Sequence, residues 1–261
     1  MGTKDVPPGE ATAHYKRISA MKERFTSTSR DSMGLFGAVD IGEGSYWWDY
    51  GQLQLYAMNN LKLILADDNH EASTMRKFFN ISANRIKQSE GCSIGESVAI
   101  TEGSCVSHSS FKTGSVQGSV LAGVSAEHVE CGRGSILVNV TARSIKVAPG
   151  CVVYNVSSDA PEGIVVPHSG QVLTRILLNK KDAAKHIKSP SKAVEAGSDS
   201  VIVEMMRSRI ETDGGKVWKT RVEGNPFSFE EVYNANSAAD VSVFTELSKT
   251  LHDEASASFG M

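Results

Sequence analysis

No apolar run in this sequence approaches the roughly 18–20 residues that a membrane-spanning helix requires, so no span is predicted. Nor is charge of one sign in excess. The 27 Lys and Arg stand against 30 Asp and Glu, a net of −3 that exerts no overall pull on nucleic acid. The opening stretch, MGTKDVPPGEATAHYKR, carries charges with no apolar block behind them, and no secretory leader is predicted. Only four cysteines occur, Cys92, Cys105, Cys131 and Cys151, and none forms the C-x-x-C pair of a structural zinc site. Unpaired thiols in a reducing compartment are expected, which predicts a cytoplasmic location. Three N-x-S/T sequons, at Asn80, Asn139 and Asn155, then carry little weight as sugar acceptors.

What is present is a repeat. The 261 residues, 40% of them hydrophobic, suffice for one large domain or two smaller ones. Written one beneath another, VLAGVSAEHVECGRGS, ILVNVTARSIKVAPGC and VVYNVSSDAPEGIVVP, starting at residues 120, 136 and 152, stay in register without a gap. Val120, Ile136 and Val152 align, as do Leu121, Leu137 and Val153, then Val124, Val140 and Val156. Gly134 aligns with Gly150. Upstream, Ile94, Ile100 and Val106 recur every sixth residue among small residues. Six is not a helical period, and the β-branched and small composition suits short strands joined by tight corners.

A rung of this kind cannot bury its apolar side alone. Stacking rungs about 4.8 Å apart buries a continuous aliphatic column. The predicted fold class is therefore mainly β, a β-solenoid flanked by short helices, with a C-terminal hairpin plus helix. Stacking also places Asn139 over Asn155 as a small amide ladder, which accounts for two of the sequons. Residues 107–119 fit neither spacing and are expected as a looser rung or corner loop. A β-sandwich is the competing arrangement; three rungs in register favour the solenoid.

The flanks divide the chain further. Residues 1–33 are polar, with a short helix expected around HYKRISAMKERF. Residues 34–80 read as a strand, a glycine turn and an amphipathic helix from about residue 52 to 66, with Leu53, Ala57, Leu61 and Ile64 on one face. EASTMRKFF offers a further helical turn or two. The solenoid is assigned to 81–178, a basic linker to 179–200, and a hairpin and helix to 201–261. GQVLTRILLN reads as a last strand. Asp213-Gly214-Gly215 supplies the hairpin turn. Val241, Phe244, Leu247 and Leu251 line the final helix, capped by Ser237 or Asp240, and the end of the chain is expected to fray.

One stretch points to chemistry. YWWDYGQLQLYAMNNLKLI, 46–64, resembles the end of the catalytic domain of sugar-1-phosphate nucleotidyltransferases. Members of that family often carry an aromatic-W-x-D-x-G segment, then a helix, then a left-handed β-helix built on hexapeptide repeats. The matching residues are Tyr46, Trp47, Asp49, Gly51 and Gln52, followed by Tyr56, Asn60 and Leu61. The resemblance implies that Asp49 is a Mg²⁺ ligand and that Trp47 and Gly51 lie at the sugar phosphate. One Asp does not make a Mg²⁺ site, which needs several oxygens. The purely structural role for Asp49 is to cap the following helix, with Trp47 and Trp48 covering the joint between domains.

The Gly-rich nucleotide loop of that family, G-x-G-x-R, is missing from these residues, so no catalytic residue is assigned. The chain is expected to be the C-terminal part of such an enzyme, inactive alone and serving structure, oligomer contacts or regulation. Its expected partners are further copies of itself or a catalytic core, with sugar phosphate or NDP-sugar as ligand. Two other functions fit a solenoid. One is a hexapeptide-type acyltransferase with His108 or His128 as general base. The other is a non-catalytic assembly scaffold.

Overall fold

The repeat winds as a β-solenoid of about five turns. In this computed structural model the described residues are 7–28, 40–51, 53–81, 91–181, 193–196, 200–208, 219, 221, 228–236 and 241–260. The chain divides into two compact units, residues 1–47 and 48–261. The first holds helix α1, Pro8–Thr28, longer than the short helix expected. Proline at its first position has no N–H to waste and a φ suited to a helix, which fixes the start. Of the strand and glycine turn expected over 34–48, residues 34–39 lie outside the described residues; the turn is present, with the Ser45 N–H donating to the Gly42 carbonyl, and residues 40–48 carry no strand.

The second unit is built on the repeat. Its strands are β1 Ser93–Ile94, β2 Ala99–Ile100, β3 Cys105–Ser107, β4 Ser110–Val116, β5 Val120–Cys131, β6 Ile136–Ala142, β7 Ser144–Val147, β8 Val152–Ser158, β9 Ile164–Val166 and β10 Gln171–Asn179. They pair in parallel from one rung to the next. The registers divide each turn into three walls. On the first, Cys105 pairs with Val120, Val120 with Ile136, Ile136 with Val152, and Val152 with Val172. On the second, Val124 pairs with Val140 and Val140 with Val156. On the third, Val129 pairs with Ile145 and Ile145 with Ile164.

The inward column is dry and continuous. Leu121, Leu137 and Val153, then Val124, Val140 and Val156, then Val129 and Ile145, are all buried in one cluster. Complete burial of such side chains contributes about 1.5–3 kcal/mol each. Ile94, Ile100 and Val106, six apart in sequence, reach the same interior from three successive walls. Residues 107–119, expected as a looser segment, form a full rung instead. Phe111 is buried inside it and pairs with Ala126 on the next turn, so a large side chain lies over a small one.

Two corners explain residues that the pattern left open. Between the first and second walls, His108, Gly123, Asn139 and Asn155 all take positive φ, between 47° and 65°. Asparagine, histidine and glycine tolerate that left-handed turn better than other residues do. Between the third wall and the next rung a buried polar column runs through Ser119, Ser135 and Cys151. The Ser135 N–H donates to Ser119 Oγ, and the Cys151 N–H donates to Ser135 Oγ. Each hydroxyl thus satisfies a buried N–H one rung on.

The outside of the first wall is also buried. Helix α2, Leu53–Leu61, runs into a 3₁₀ turn, Lys62–Ile64, and α3 follows at His70–Phe78. Ala57, Leu63 and Met75 pack with Cys105, Val120, Ile136, Val152 and Val172, and the expected face of Leu53, Leu61 and Ile64 joins them. Asn69 caps α3 by accepting the Ala72 N–H. The buried Arg76 donates to the carbonyls of Leu63 and Leu65, tying the end of the 3₁₀ turn.

Beyond the last rung the sheet turns antiparallel. β10 pairs with β12, Ser200–Ser208, which pairs with β11, Ala193–Ala196. Thus a strand forms inside the stretch read as a linker. The predicted Asp213–Gly215 hairpin turn and the Ser237 and Asp240 caps lie outside the described residues, as does Gln52. Helix α4, Phe229–Asn236, and helix α5, Val241–Ser258, complete the unit. Phe244, Leu247 and Leu251 pack with Leu177 and Ile202 as the periodicity predicts. The chain end does not fray as expected: Ala255 and Phe259 are buried.

Candidate functional site

The segment that resembles a substrate-binding motif straddles the two units. Trp47 ends the first and is 90% exposed. In the second, Asp49 is exposed, and its Oδ1 accepts the Gly51 N–H at 2.7 Å. This turn stands just before α2, and the Asn59 side chain donates back to the Asp49 carbonyl at 2.6 Å. Asp49 therefore closes a turn ahead of α2; the bond it accepts comes from Gly51, not from an N–H of the helix. A Cβ at Gly51 would lie 3.1 Å from Asp49 Oδ1, so the glycine keeps the turn tight.

Trp48 has a different task. Its Nε1–H donates to Glu71 Oε1 at 2.9 Å, and Lys62 Nζ meets the same oxygen at 2.5 Å. The Lys62 bond, reinforced by Trp48, holds the Glu71 carboxyl below its usual range. Trp48 also meets Phe78 edge-on at 6.4 Å. On the other side, Tyr50 and Tyr56 pack edge-on at 6.0 Å. Burial, with Tyr154 and Tyr50 nearby, pushes the Tyr56 phenol up to about 12. Tyr154 lies on the first wall of the solenoid, paired with Val138. Neither Glu71 nor Tyr154 stood out in sequence. Glu71 is in a helix a turn beyond the motif, and Tyr154 becomes a neighbour of Tyr56 only through the docking of α2.

By itself this segment brings one carboxylate toward a Mg²⁺ ion, so the remaining oxygen ligands would come from elsewhere. Asp49 offers one carboxylate, already committed through Oδ1, whereas the ion takes near-octahedral oxygen ligands. Among the described residues no group of three or more His, Cys, Asp or Glu gathers elsewhere. No family model, curated protein or solved structure matches this chain significantly. No described helix is long and apolar enough to cross a membrane.

The two histidines read as candidate bases, His108 and His128, are placed apart. His108 occupies the left-handed corner between the first two walls and is exposed. His128 sits on the third wall, with Nδ1 3.0 Å from Thr113 Oγ1 and Nε2 2.9 Å from Glu130 Oε1. Lys146 lies 3.6 Å from the same carboxylate oxygen. His128 and Lys146 hold the Glu130 carboxyl below its ordinary range. One turn away, Lys112 and Arg143 flank Glu127. The outer third wall is thus a ladder of alternating charge, and His128 is one of its members.

Proposed function

We propose that this chain serves as the β-helix region of a sugar-1-phosphate nucleotidyltransferase, a left-handed β-helix of the hexapeptide class, working in assembly or regulation rather than in catalysis by itself. The reaction it would support joins an NTP and a sugar 1-phosphate to give an NDP-sugar and pyrophosphate. One observation carries the reading: the helix that follows W-x-D-x-G packs onto the first wall, with Ala57 in one buried cluster with Val120, Ile136 and Val152. In this reading that contact ties a catalytic core rigidly to the solenoid. The core supplies the phosphate-binding loop and most oxygen ligands of Mg²⁺, while Asp49 adds one carboxylate and Trp47 and Gly51 border the sugar phosphate. Further copies of the chain or the core itself are the partners.

Calorimetry with hexose 1-phosphates and NDP-hexoses, with and without Mg²⁺, tests the ligand. Wild type is expected to take up ligand weakly, and Asp49→Ala to lose the Mg²⁺-dependent part. Equal heats for both proteins remove Asp49 from the site. Light scattering tests the assembly role, which predicts an oligomer; a monomer that binds none of these compounds overturns the proposal.

A further inference from the structure

Helix α5 grips the outside of the second wall with a face that is half polar. Ser248, His252 and Ala255, spaced at i, i+4 and i+7, are buried on the helix, as is Phe259 just past its end. Ser248 Oγ donates to Asn155 Oδ1 at 2.7 Å. His252 Nδ1 meets Thr141 Oγ1 at 2.7 Å. The Arg143 guanidinium donates to the Ser258 carbonyl at 3.1 Å. His252 is only 9% exposed, and its other ring nitrogen, Nε2, has no hydrogen-bond partner among the described residues. A buried imidazole with one nitrogen unpaired is tolerable when neutral. As an imidazolium it would bury a charge and an unsatisfied N–H together.

We propose that α5 is a proton-released clasp: protonation of His252 frees the helix from the second wall while the solenoid beneath stays wound. The basic group around the ring favours release. Arg175 faces it from β10, fixed by donating to the Ser157 hydroxyl and carbonyl. Asp253, the next residue on α5 itself, is the one acidic group acting on the ring among the described residues. Burial, then Arg175, push the imidazole down to about 4 from 6.5, and Asp253 opposes them only in part.

The direction follows. The docked helix prefers neutral His252, so docking is at full strength above pH 6.5 and weakens as pH falls toward 4. At pH 5 the shift corresponds to a loss of about thirtyfold in the docking equilibrium. The solenoid has its own parallel ladder and dry interior, so it does not depend on the clasp. What α5 uncovers is a sheet face bearing Thr141 and Asn155.

Amide exchange of the full chain at pH 7 and pH 5, corrected for the intrinsic chemistry of exchange, tests this. Protection over 241–258 is expected to fall at least tenfold at pH 5 while protection over 120–158 holds. His252→Gln, which keeps a hydrogen-bonding head and cannot gain a proton, is expected to flatten the pH dependence. The histidine ring signals give a readout that needs no variant, with His252 titrating well below 6.5. Simultaneous loss of protection in helix and solenoid, an unchanged profile in the variant, or a ring that titrates normally overturns the proposal.

Discussion

Asn139 donates its side-chain N–H to Asn155 Oδ1 at 2.6 Å, one solenoid turn further on. Both residues hold φ near +53°, and the same oxygen also accepts the Ser248 hydroxyl. One amide therefore does two things: it fixes a left-handed corner and joins the corner to α5. Asn155→Gly keeps the backbone and removes the amide, and is expected to cost about 1–2 kcal/mol. Asn155→Ala also forces an L side chain with no local hydrogen bond into that turn, for about 2–3 kcal/mol in all. Urea midpoints order the two; an alanine variant as stable as the glycine one would show that the corner relaxes.

The rung above supplies the complementary test. Gly123 takes φ 65° in the same column, and a Cβ there would meet Asn139 backbone atoms at no less than 3.6 Å. Gly123→Asn is expected to be neutral or to stabilise by a few tenths of a kcal/mol, because it extends the ladder and removes glycine's freedom in the unfolded chain. Gly123→Val should instead destabilise by about 2 kcal/mol, since a β-branched residue is strained at positive φ. Thermal melts of the pair decide; equal losses would mean the corner has no room for an amide.

At Gly114 close approach adds to an unfavourable φ of 122°. A Cβ at that position would sit 1.9 Å from the Val129 carbonyl oxygen on the next rung, a backbone atom that cannot swing aside. At Gly134, φ 71°, a Cβ meets nothing within 4 Å. Gly134→Ala is expected to cost about 1 kcal/mol, the conformational penalty alone. Gly114→Ala should cost more than about 3 kcal/mol, because two neighbouring rungs must part in addition to the conformational penalty. Comparable midpoints for the two variants would refute the difference.

Much of this was legible from the letters, and the omissions have physical causes. Period 16 placed Val124, Val140 and Val156 on one wall because a solenoid repeats its pairing each turn, so alignment in sequence is contact in space. The helix docked on the first wall also left a trace. Val120-Leu121, Ile136-Leu137 and Val152-Val153 are consecutive apolar pairs, the mark of strands buried on both faces. By contrast, His252 on Thr141 and Tyr56 near Tyr154 follow from how helices settle on walls, which no local period encodes. The site motif was legible only as letters: among the described residues Asp49 forms a turn through Gly51.

Thiol chemistry checks the placement of the cysteines. Cys105, Cys131 and Cys151 are buried, and Cys92 is half-buried at the first rung. Burial pushes the Cys131 thiol up to about 12, so almost no thiolate is present at neutral pH. A disulfide reagent at pH 8 is expected to titrate one thiol in the native protein and the other three only with denaturant. Rapid native reaction of two or more would show that the solenoid interior opens on the timescale of labelling.

Acid has a second point of attack on α4, separable from the clasp on α5. Ser228 and Glu231 form a reciprocal cap: the Glu231 N–H donates to Ser228 Oγ at 3.2 Å, and the Ser228 N–H donates to Glu231 Oε2 at 2.7 Å. The pattern was present in the letters S-F-E-E. Arg221 holds the same carboxylate through Nε at 3.1 Å and Nη2 at 2.5 Å. The Arg221 bonds, then the Ser228 N–H, depress the Glu231 carboxyl to about 2 from 4.5. A depressed acid stabilises the fold fully above about pH 4.5, and that contribution is lost as pH falls toward 2. The window lies mostly below the one in which His252 charges. The carboxyl is partly open to solvent, so the contribution is modest, about 1 kcal/mol or less. Carbon-detected titration is expected to place Glu231 below pH 3 and to show Arg221→Ala moving it upward. Glu231→Gln should remove the low-pH loss of helicity in α4 without altering the behaviour of α5 near pH 5. A carboxyl that titrates near 4.5 in the wild type would mean that the cap and its arginine are not formed in solution.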